Sequence, residues 1–209
     1  MENKELLEKR KELYFQQMGV SEKLKPGYEL CIEAHKCWTE GRVLDTIELM
    51  ERALEFFQKH EAYKEMANIL DFLGDVYYMR GNIEKALRCY KACLDVCETV
   101  EDEFSVAVMV EKIIHVYRTK NEYDKMLPYL YRNLEIGEKY RDAHRAARAL
   151  VGIGDAYRFQ KNFEAAKDAY SLAYKIYKGM GARELAEKVR EGLDLLEKEK
   201  NNLKRDNED

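Results

Sequence analysis

The chain has 209 residues, among them only two prolines and eleven glycines, and it carries 36 basic against 40 acidic side chains. So few helix-breaking residues predict long, uninterrupted helices, and no β-rich segment competes with them. A net charge of −4 on a surface of mixed sign provides no general attraction for nucleic acid or an anionic membrane, and we expect neither as a partner.

The amino-terminal residues 1–22 are predicted to form a separate helix. Their charged stretch contains no apolar run suited to secretion or membrane insertion, so we expect a cytoplasmic protein. The segment Lys25–Gly27, with Pro26 at its centre, predicts a break between this helix and the rest of the chain. The helix is interpreted either as a cap or as an interaction helix.

A repeat dominates the next part of the chain. Four stretches align without a gap at a constant spacing of forty residues: 28–54, 68–94, 108–134 and 148–174. A fixed period between about 20 and 50 residues is the signature of stacked supersecondary units, so it outweighs any single-residue motif. We assign one helical hairpin to each of four segments, about 23–60, 61–100, 101–140 and 141–180.

Each stretch contains two helical patterns separated by a turn. Apolar residues recur three and four positions apart, as they do on one face of a helix. The turns are predicted at Gly41–Arg42, Gly81–Asn82, Asn121–Glu122 and Lys161–Asn162, where residues that cap a helix or tolerate a left-handed backbone are common. Gly74 and Gly154 share one column, and we expect close helix crossings there because glycine lets two helices approach.

These columns resemble the tetratricopeptide repeat family. The best matches are Leu73–Tyr77 and Ile153–Tyr157, and the resemblance covers about residues 28–195. It implies an all-α fold, a right-handed α-α superhelix of about four helical hairpins with terminal helices. The usual repeat has 34 residues, and a forty-residue unit is similar to the extended-helix subclass of kinesin light chains. Such arrays bind other proteins, so the resemblance implies a protein or peptide partner in the concave groove.

The third hairpin departs from the pattern in several columns. Ile114 and Met126 stand where other hairpins have small residues, Asn133 enters an apolar column, and Pro128 lies early in the second helix. Proline removes a backbone donor there. These departures predict a looser layer.

The carboxy-terminal end is predicted to cap the stack. Residues 181–200 read as a helix with one apolar stripe formed by Leu185, Val189, Leu193 and Leu196. The last layer of a repeat array needs a polar outer face, and this helix supplies one. Residues 201–209 are predicted to be a polar tail.

Catalytic, cofactor and metal chemistry are not predicted. Cys89, Cys93 and Cys97 are four residues apart and could place three thiols on one strip, but no CxxC motif or histidine completes a tetrahedral set. We therefore interpret the cysteines as structural. Neither a nucleophile motif nor a phosphate-binding glycine loop is present, so the chain is not predicted to be an enzyme.

Ten residues of the first helices are candidates for a partner-binding groove. They are Trp38, Asp71, Asp75, Tyr78, Glu111, His115, Arg118, Arg148, Asp155 and Arg158. Aromatic and arginine side chains are the types that anchor interfaces. The alternative is that the aromatics pack between layers and the arginines form solvated ion pairs.

Three functions follow in decreasing order of support. The favoured one is a scaffold or adaptor that binds a peptide or partner protein in the concave groove. The second is a peptide-sensing regulator whose curvature changes on ligand binding, and the third is a small enzyme or metal protein. The oligomeric state and the identity of the partner are left open by the sequence.

Overall fold

The computed structural model describes the backbone of residues 2–206 and the side chains of residues 8–203, so residues 207–209 of the predicted tail lie outside it. Within this range the chain forms ten α-helices and a short 3₁₀ turn, and no strand is present. The helices are α1 (Glu2–Gln17), α2 (Lys25–Thr39), α3 (Val43–Lys59), α4 (Tyr63–Met79), α5 (Ile83–Thr99), α6 (Glu103–Thr119), α7 (Tyr123–Lys139), α8 (Ala143–Phe159), α9 (Phe163–Gly179) and α10 (Arg183–Asp206). The predicted all-α fold class is confirmed.

The helices fall into two compact units, residues 1–102 and residues 103–209. In the first unit, α2 pairs with α3, α4 pairs with α5, and α3 packs on α4. In the second, α6 pairs with α7, α8 pairs with α9, α7 packs on α8, and α10 packs on α9. Each unit therefore consists of two helical hairpins and one terminal helix.

A twenty-residue period underlies the forty-residue repeat. Helices α3 to α9 each have 17 residues, and three-residue turns join the successive helices from α2 to α10. The central residue of each turn has a left-handed backbone, with φ between 53° and 75°. These residues are Gly41, Glu61, Gly81, Glu101, Asn121, Arg141, Lys161 and Gly181. The four turns predicted within the hairpins are confirmed, and the turns between hairpins have the same form.

The last residue of several turns stabilises the start of the next helix through its side chain. The side-chain oxygens of Asn82, Asp142 and Asn162 accept hydrogen bonds from the backbone N–H three residues further on. Each bond satisfies one of the donors that the first turn of a helix leaves unpaired. These caps mark the helix starts and so help to fix the length of each layer.

The break predicted at Lys25–Gly27 lies earlier in the chain. Residues 18–21 separate α1 from the 3₁₀ turn that precedes α2. Pro26 lies in the first turn of α2, where a missing backbone donor costs nothing. Gly27 is buried, and a Cβ atom there would lie 2.7 Å from Cζ of Phe57, so this glycine allows close packing rather than a bend.

Tyrosine rings fill the space that Gly74 and Gly154 leave at the helix crossings. A Cβ atom on Gly74 would lie 2.4 Å from Cε1 of Tyr90, and one on Gly154 would lie 2.5 Å from Cε1 of Tyr170. The expectation of close crossings at these glycines is confirmed. In the third hairpin Ile114 takes the glycine position, and α6 contacts α7 less extensively than α4 contacts α5 or α8 contacts α9.

The terminal helix α10 extends beyond its predicted end. It runs from Arg183 to Asp206, so residues 201–206, assigned to a polar tail by composition, are helical. Of the predicted apolar stripe, Val189 and Leu196 are buried and the two other leucines are half-buried. No helix in the described part of the chain combines the length and the apolar character needed to cross a membrane.

Candidate partner-binding groove

A groove of about 740 Å³ lies in the second unit. Five helices, α6 to α10, contribute residues to its walls. The six candidates predicted in this part of the sequence all line it: Glu111, His115, Arg118, Arg148, Asp155 and Arg158. Val151 and Leu185 are half-buried and supply apolar surface between these polar groups. The groove therefore combines an apolar lining with a cationic set of side chains.

The groove carboxylate on α8 is held by a tyrosine from α9. The Tyr170 hydroxyl donates a hydrogen bond of 2.7 Å to Oδ1 of Asp155. Burial raises the pKa of Asp155, although this hydrogen bond and the charges of Arg118 and Arg158 act in the opposite direction. Gly154 makes the bond possible, because the tyrosine ring crosses α8 where a side chain would otherwise stand.

A second carboxylate, Glu111 on α6, lies between two arginines of α8. Arg145 Nη1 is 2.9 Å from one of its oxygens, and Arg148 Nη2 is 3.3 Å from the other. Arg145 also donates a 2.8 Å hydrogen bond to Oδ1 of Asn133, which is buried. Arg145 was not among the candidates predicted from the sequence, although a buried polar Asn133 in an apolar column needs a hydrogen-bond partner nearby.

Two arginines of equivalent position in successive hairpins have different surroundings. Nε of Arg158 donates a 2.8 Å hydrogen bond to one oxygen of Glu199 on α10, and Nη2 donates to the other oxygen. Arg118 is exposed, and its Nη2 lies 3.5 Å from where a Cβ atom on Gly152 would stand. Among the described residues, no carboxylate oxygen pairs with Arg118 within 4.0 Å.

His115, the remaining candidate of the second unit, is exposed on α6 in the same groove. Lys188, Val189 and Gly192 of α10 also line the groove but were not among the candidates. They could be placed only once the side of α10 that faces α8 was known. The terminal helix thus forms one wall of the groove.

The other four candidates belong to the first unit: Trp38, Asp71, Asp75 and Tyr78. Trp38 packs edge to face against Phe72, with ring centroids 5.5 Å apart. Asp75 accepts a 2.7 Å hydrogen bond from the Tyr90 hydroxyl, which repeats the pairing of Asp155 in the second unit. Asp71 and Tyr78 are half-buried on α4. Trp38 therefore makes the interlayer packing contact that the alternative interpretation described.

The cysteines of α5 lie within the helix packing. Sγ of Cys93 is 3.2 Å from the Ala67 carbonyl oxygen and 4.0 Å from Sγ of Cys97. Both thiols are buried, and burial raises the pKa of the half-buried Cys89. Within the described residues, no three histidine, cysteine or acidic side chains come together in a way that could hold a metal ion.

The repeat pattern and its geometry agree with a known family. The tetratricopeptide repeat model matches residues 34–99 and 105–179, and the chain belongs to this family. The two matched regions fall in the two units. The resemblance stated from sequence is therefore confirmed.

Several known proteins are similar to this chain. Tetratricopeptide repeat protein 29 of Trypanosoma brucei brucei (strain 927/4 GUTat10.1) is 26% identical over 152 residues, which are 71% of this chain and 31% of that protein. The chain thus spans less than a third of the length of this relative. The apo structure of RapI has a TM-score of 0.66 at 17% identity and covers 90% of this chain and 53% of that chain.

A third similar protein is a signal transduction ATPase with numerous domains and a tetratricopeptide repeat sensor, from Pyrococcus horikoshii. Its structure has a TM-score of 0.58 at 23% identity, over 83% of this chain and 26% of that chain. At this level of identity, the two structural likenesses establish the helical-repeat fold alone.

Proposed function

We propose that this chain is a protein–protein interaction module that holds a peptide segment of a partner protein in the groove of the second unit. One observation carries the proposal: six residues selected by their repeat columns lie in a single groove with apolar surface between them. The volume of about 740 Å³ is within the range of about 300–1,000 Å³ that ligand sites occupy. Membership of a family whose arrays serve as interaction scaffolds supports the same function.

The side chains of the groove suit a peptide ligand. Apolar side chains of a segment can pack against Val151 and Leu185, while the guanidinium of Arg118 offers several N–H donors to its polar groups. Arginine forms charge-assisted hydrogen bonds with carboxylates and carbonyls that are stronger than neutral ones. We infer a cytoplasmic scaffold or adaptor that acts by binding.

The groove carboxylates favour binding over acid–base catalysis. Asp155 is hydrogen-bonded to Tyr170, and Glu111 lies between Arg145 and Arg148. A general base must be within hydrogen-bond reach of a substrate proton and able to accept it. Carboxylates engaged in this way hold the groove in shape, and we assign them that role.

A capture experiment with two charge reversals tests the proposal. Arg118→Glu changes the groove, whereas Lys175→Glu makes the same charge change at an exposed position of α9 outside its lining. We expect a partner captured by the parent chain to bind the Lys175 variant equally. Its affinity for the Arg118 variant should fall about 30-fold, equivalent to ~2 kcal/mol for a desolvated interface anchor.

Circular dichroism and thermal unfolding of both variants serve as the folding control, because an exposed arginine contributes little to stability. The proposal is wrong if the partner binds the Arg118 variant as tightly as the parent while the variant remains folded. Equal loss of binding in both variants would likewise assign the interaction to overall charge instead of the groove.

A further inference from the structure

One groove arginine already has a carboxylate partner from the same chain. Arg158 on α8 donates from Nε and Nη2 to the two oxygens of Glu199 on α10. This two-point contact is the geometry with which arginine recognises carboxylates in general. The arrangement lowers the pKa of Glu199, and the hydrogen bond from Arg158 is the main cause. Glu199 is therefore a charged, well-oriented occupant of a groove arginine at neutral pH.

The equivalent arginine of the preceding hairpin lacks such an occupant. Arg118 stands forty residues before Arg158 in the repeat, and in the described part of the chain no carboxylate lies within ion-pair distance of it. Gly152 leaves space for its guanidinium against α8. The same column thus contains one arginine engaged by the terminal helix and one available to a ligand.

The charge of the groove is opposite to that of the chain as a whole. Four cationic side chains and two carboxylates line it, so its formal net charge without Glu199 is +2, whereas the chain carries −4. The cationic residues are Arg118, Arg148, Arg158 and Lys188. A concave surface with an excess of one sign of charge attracts ligands of the other sign. This complementarity points to an acidic segment.

Other contacts hold α10 in place without the Arg158 pair. Ala186, Val189 and Leu196 are buried, and Lys167 of α9 pairs with Glu197 at 2.7 Å. The side chains of Arg158 and Glu199 are 32% and 44% exposed. Because an ion pair with this exposure contributes little to stability, its carboxylate can be exchanged for another without detaching the helix.

We propose that Glu199 is a built-in competitor for an acidic peptide ligand. In this inference, which rests on the proposed function, a carboxylate of the partner segment replaces Glu199 on Arg158, and a second carboxylate binds Arg118. The last turns of α10 lose their contact with α8 during binding, while the apolar stripe and the Lys200–Glu164 pair hold the helix on α9. The strength of the Arg158–Glu199 pair then sets how tightly an acidic segment must bind to enter the groove.

Two matched substitutions on α10 test the competitor role. Glu199→Gln removes the carboxylate from Arg158, and Glu197→Gln removes one that pairs with Lys167 instead. The probe is a fluorescein-labelled acidic peptide of about twelve residues that contains Glu, Leu and Ser. The control peptide has the same sequence with Gln in place of every Glu. We expect Glu199→Gln to tighten binding of the acidic peptide about two- to fivefold, the range that an exposed ion pair allows. Glu197→Gln should leave the affinity unchanged.

Hydrogen exchange gives a second readout that a purely structural pair would not change. Adding the acidic peptide to the parent chain should increase amide exchange at residues 199–203 while residues 186–196 stay protected. Circular dichroism verifies that both variants are folded.

Each contrary result overturns a defined part of the inference. Unchanged affinity in the Glu199 variant would remove the competitor role, and equal binding of the Gln peptide would remove the preference for acidic ligands. Absence of binding to both the parent and the Glu199 variant would overturn the inference entirely. The capture experiment with Arg118→Glu uses the natural partner, so it decides the proposed function independently of all three results.

Discussion

Replacing Gly154 with alanine tests whether two features depend on the absence of a side chain at this position. They are the close crossing of α8 and α9 and the hydrogen bond from Tyr170 to Asp155. The new Cβ atom would lie 2.5 Å from Cε1 and 2.6 Å from Cδ1 of Tyr170, so the ring must move. Moving the ring also displaces the hydroxyl that donates to Asp155 at 2.7 Å. The substitution therefore perturbs both packing and the geometry of the candidate site.

Three contributions determine the expected size of the effect. Overpacking of a well-filled interior costs about 1–3 kcal/mol, and loss of the Tyr170 hydrogen bond costs about 1 kcal/mol. Alanine favours a helix interior over glycine by about 0.5–1 kcal/mol, which offsets part of that cost. We expect Gly154→Ala to lower the free energy of unfolding by about 1–3 kcal/mol in total.

Urea denaturation of matched variants measures this effect. Gly192 lies within α10 and a Cβ atom there would meet nothing within 4 Å, so Gly192→Ala should stabilise the chain by about 0.5–1 kcal/mol. Adding Tyr170→Leu to Gly154→Ala should restore about 1 kcal/mol or more of the lost stability, measured as a coupling energy between the two substitutions. The third hairpin has this combination of a larger residue and a leucine, Ile114 with Leu130. If Gly154→Ala were as stabilising as Gly192→Ala, the close crossing would be refuted.

Two further predictions concern the turns and the groove carboxylate. Lys161 has φ of +60° and Gly81 has φ of +74°, a backbone region that favours glycine. Lys161→Gly should therefore raise the free energy of unfolding by up to about 1 kcal/mol, and Gly81→Ala should lower it by a similar amount. Denaturation curves of the two variants that shifted in the same direction would contradict the assigned backbone. Burial raises the pKa of Asp155 in the folded state above its ordinary value of 3.8. At a pH between 3.8 and the folded-state pKa, the folded chain therefore binds more protons than the unfolded chain, and the contribution of Asp155 to stability rises as the pH falls. A carbon-13 NMR titration should give a midpoint above 3.8, and a midpoint below it would show that the arginines outweigh burial.

The repeat architecture could be predicted because local chemistry encodes it at regular intervals. Glycine or asparagine at the centre of a turn, as at Gly81 and Asn121, favours the left-handed backbone that ends a helix. The same register then placed the candidate residues of α6 and α8 on one side of their helices. Pro26 does not mark the predicted break, because proline suits the first turn of a helix as well as a loop.

The contacts that shape the candidate groove could not be predicted in the same way. Arg145 of α8 contacts Asn133 of the neighbouring helix α7, and Arg158 contacts Glu199, which lies 41 residues further along the chain. Both contacts depend on how far one helix is rotated against the next, which the spacing of apolar residues constrains only loosely. In the second unit the repeat columns placed six candidates along one groove, whereas their ion-pair partners could not be read from the columns.

The twenty-residue period also bears on how such a chain can gain or lose length. Because each turn between α2 and α10 has three residues with its left-handed residue at the centre, a gene rearrangement that deletes forty codons between equivalent turns would rejoin two helices in phase. Removing residues 82–121, for example, would place Glu122 directly after Gly81 and recreate a turn of the same form. A deletion inside a helix that does not remove a whole number of helical turns would instead rotate the apolar face that follows it. Duplication and loss of whole hairpins are thus the changes of length that this sequence tolerates best.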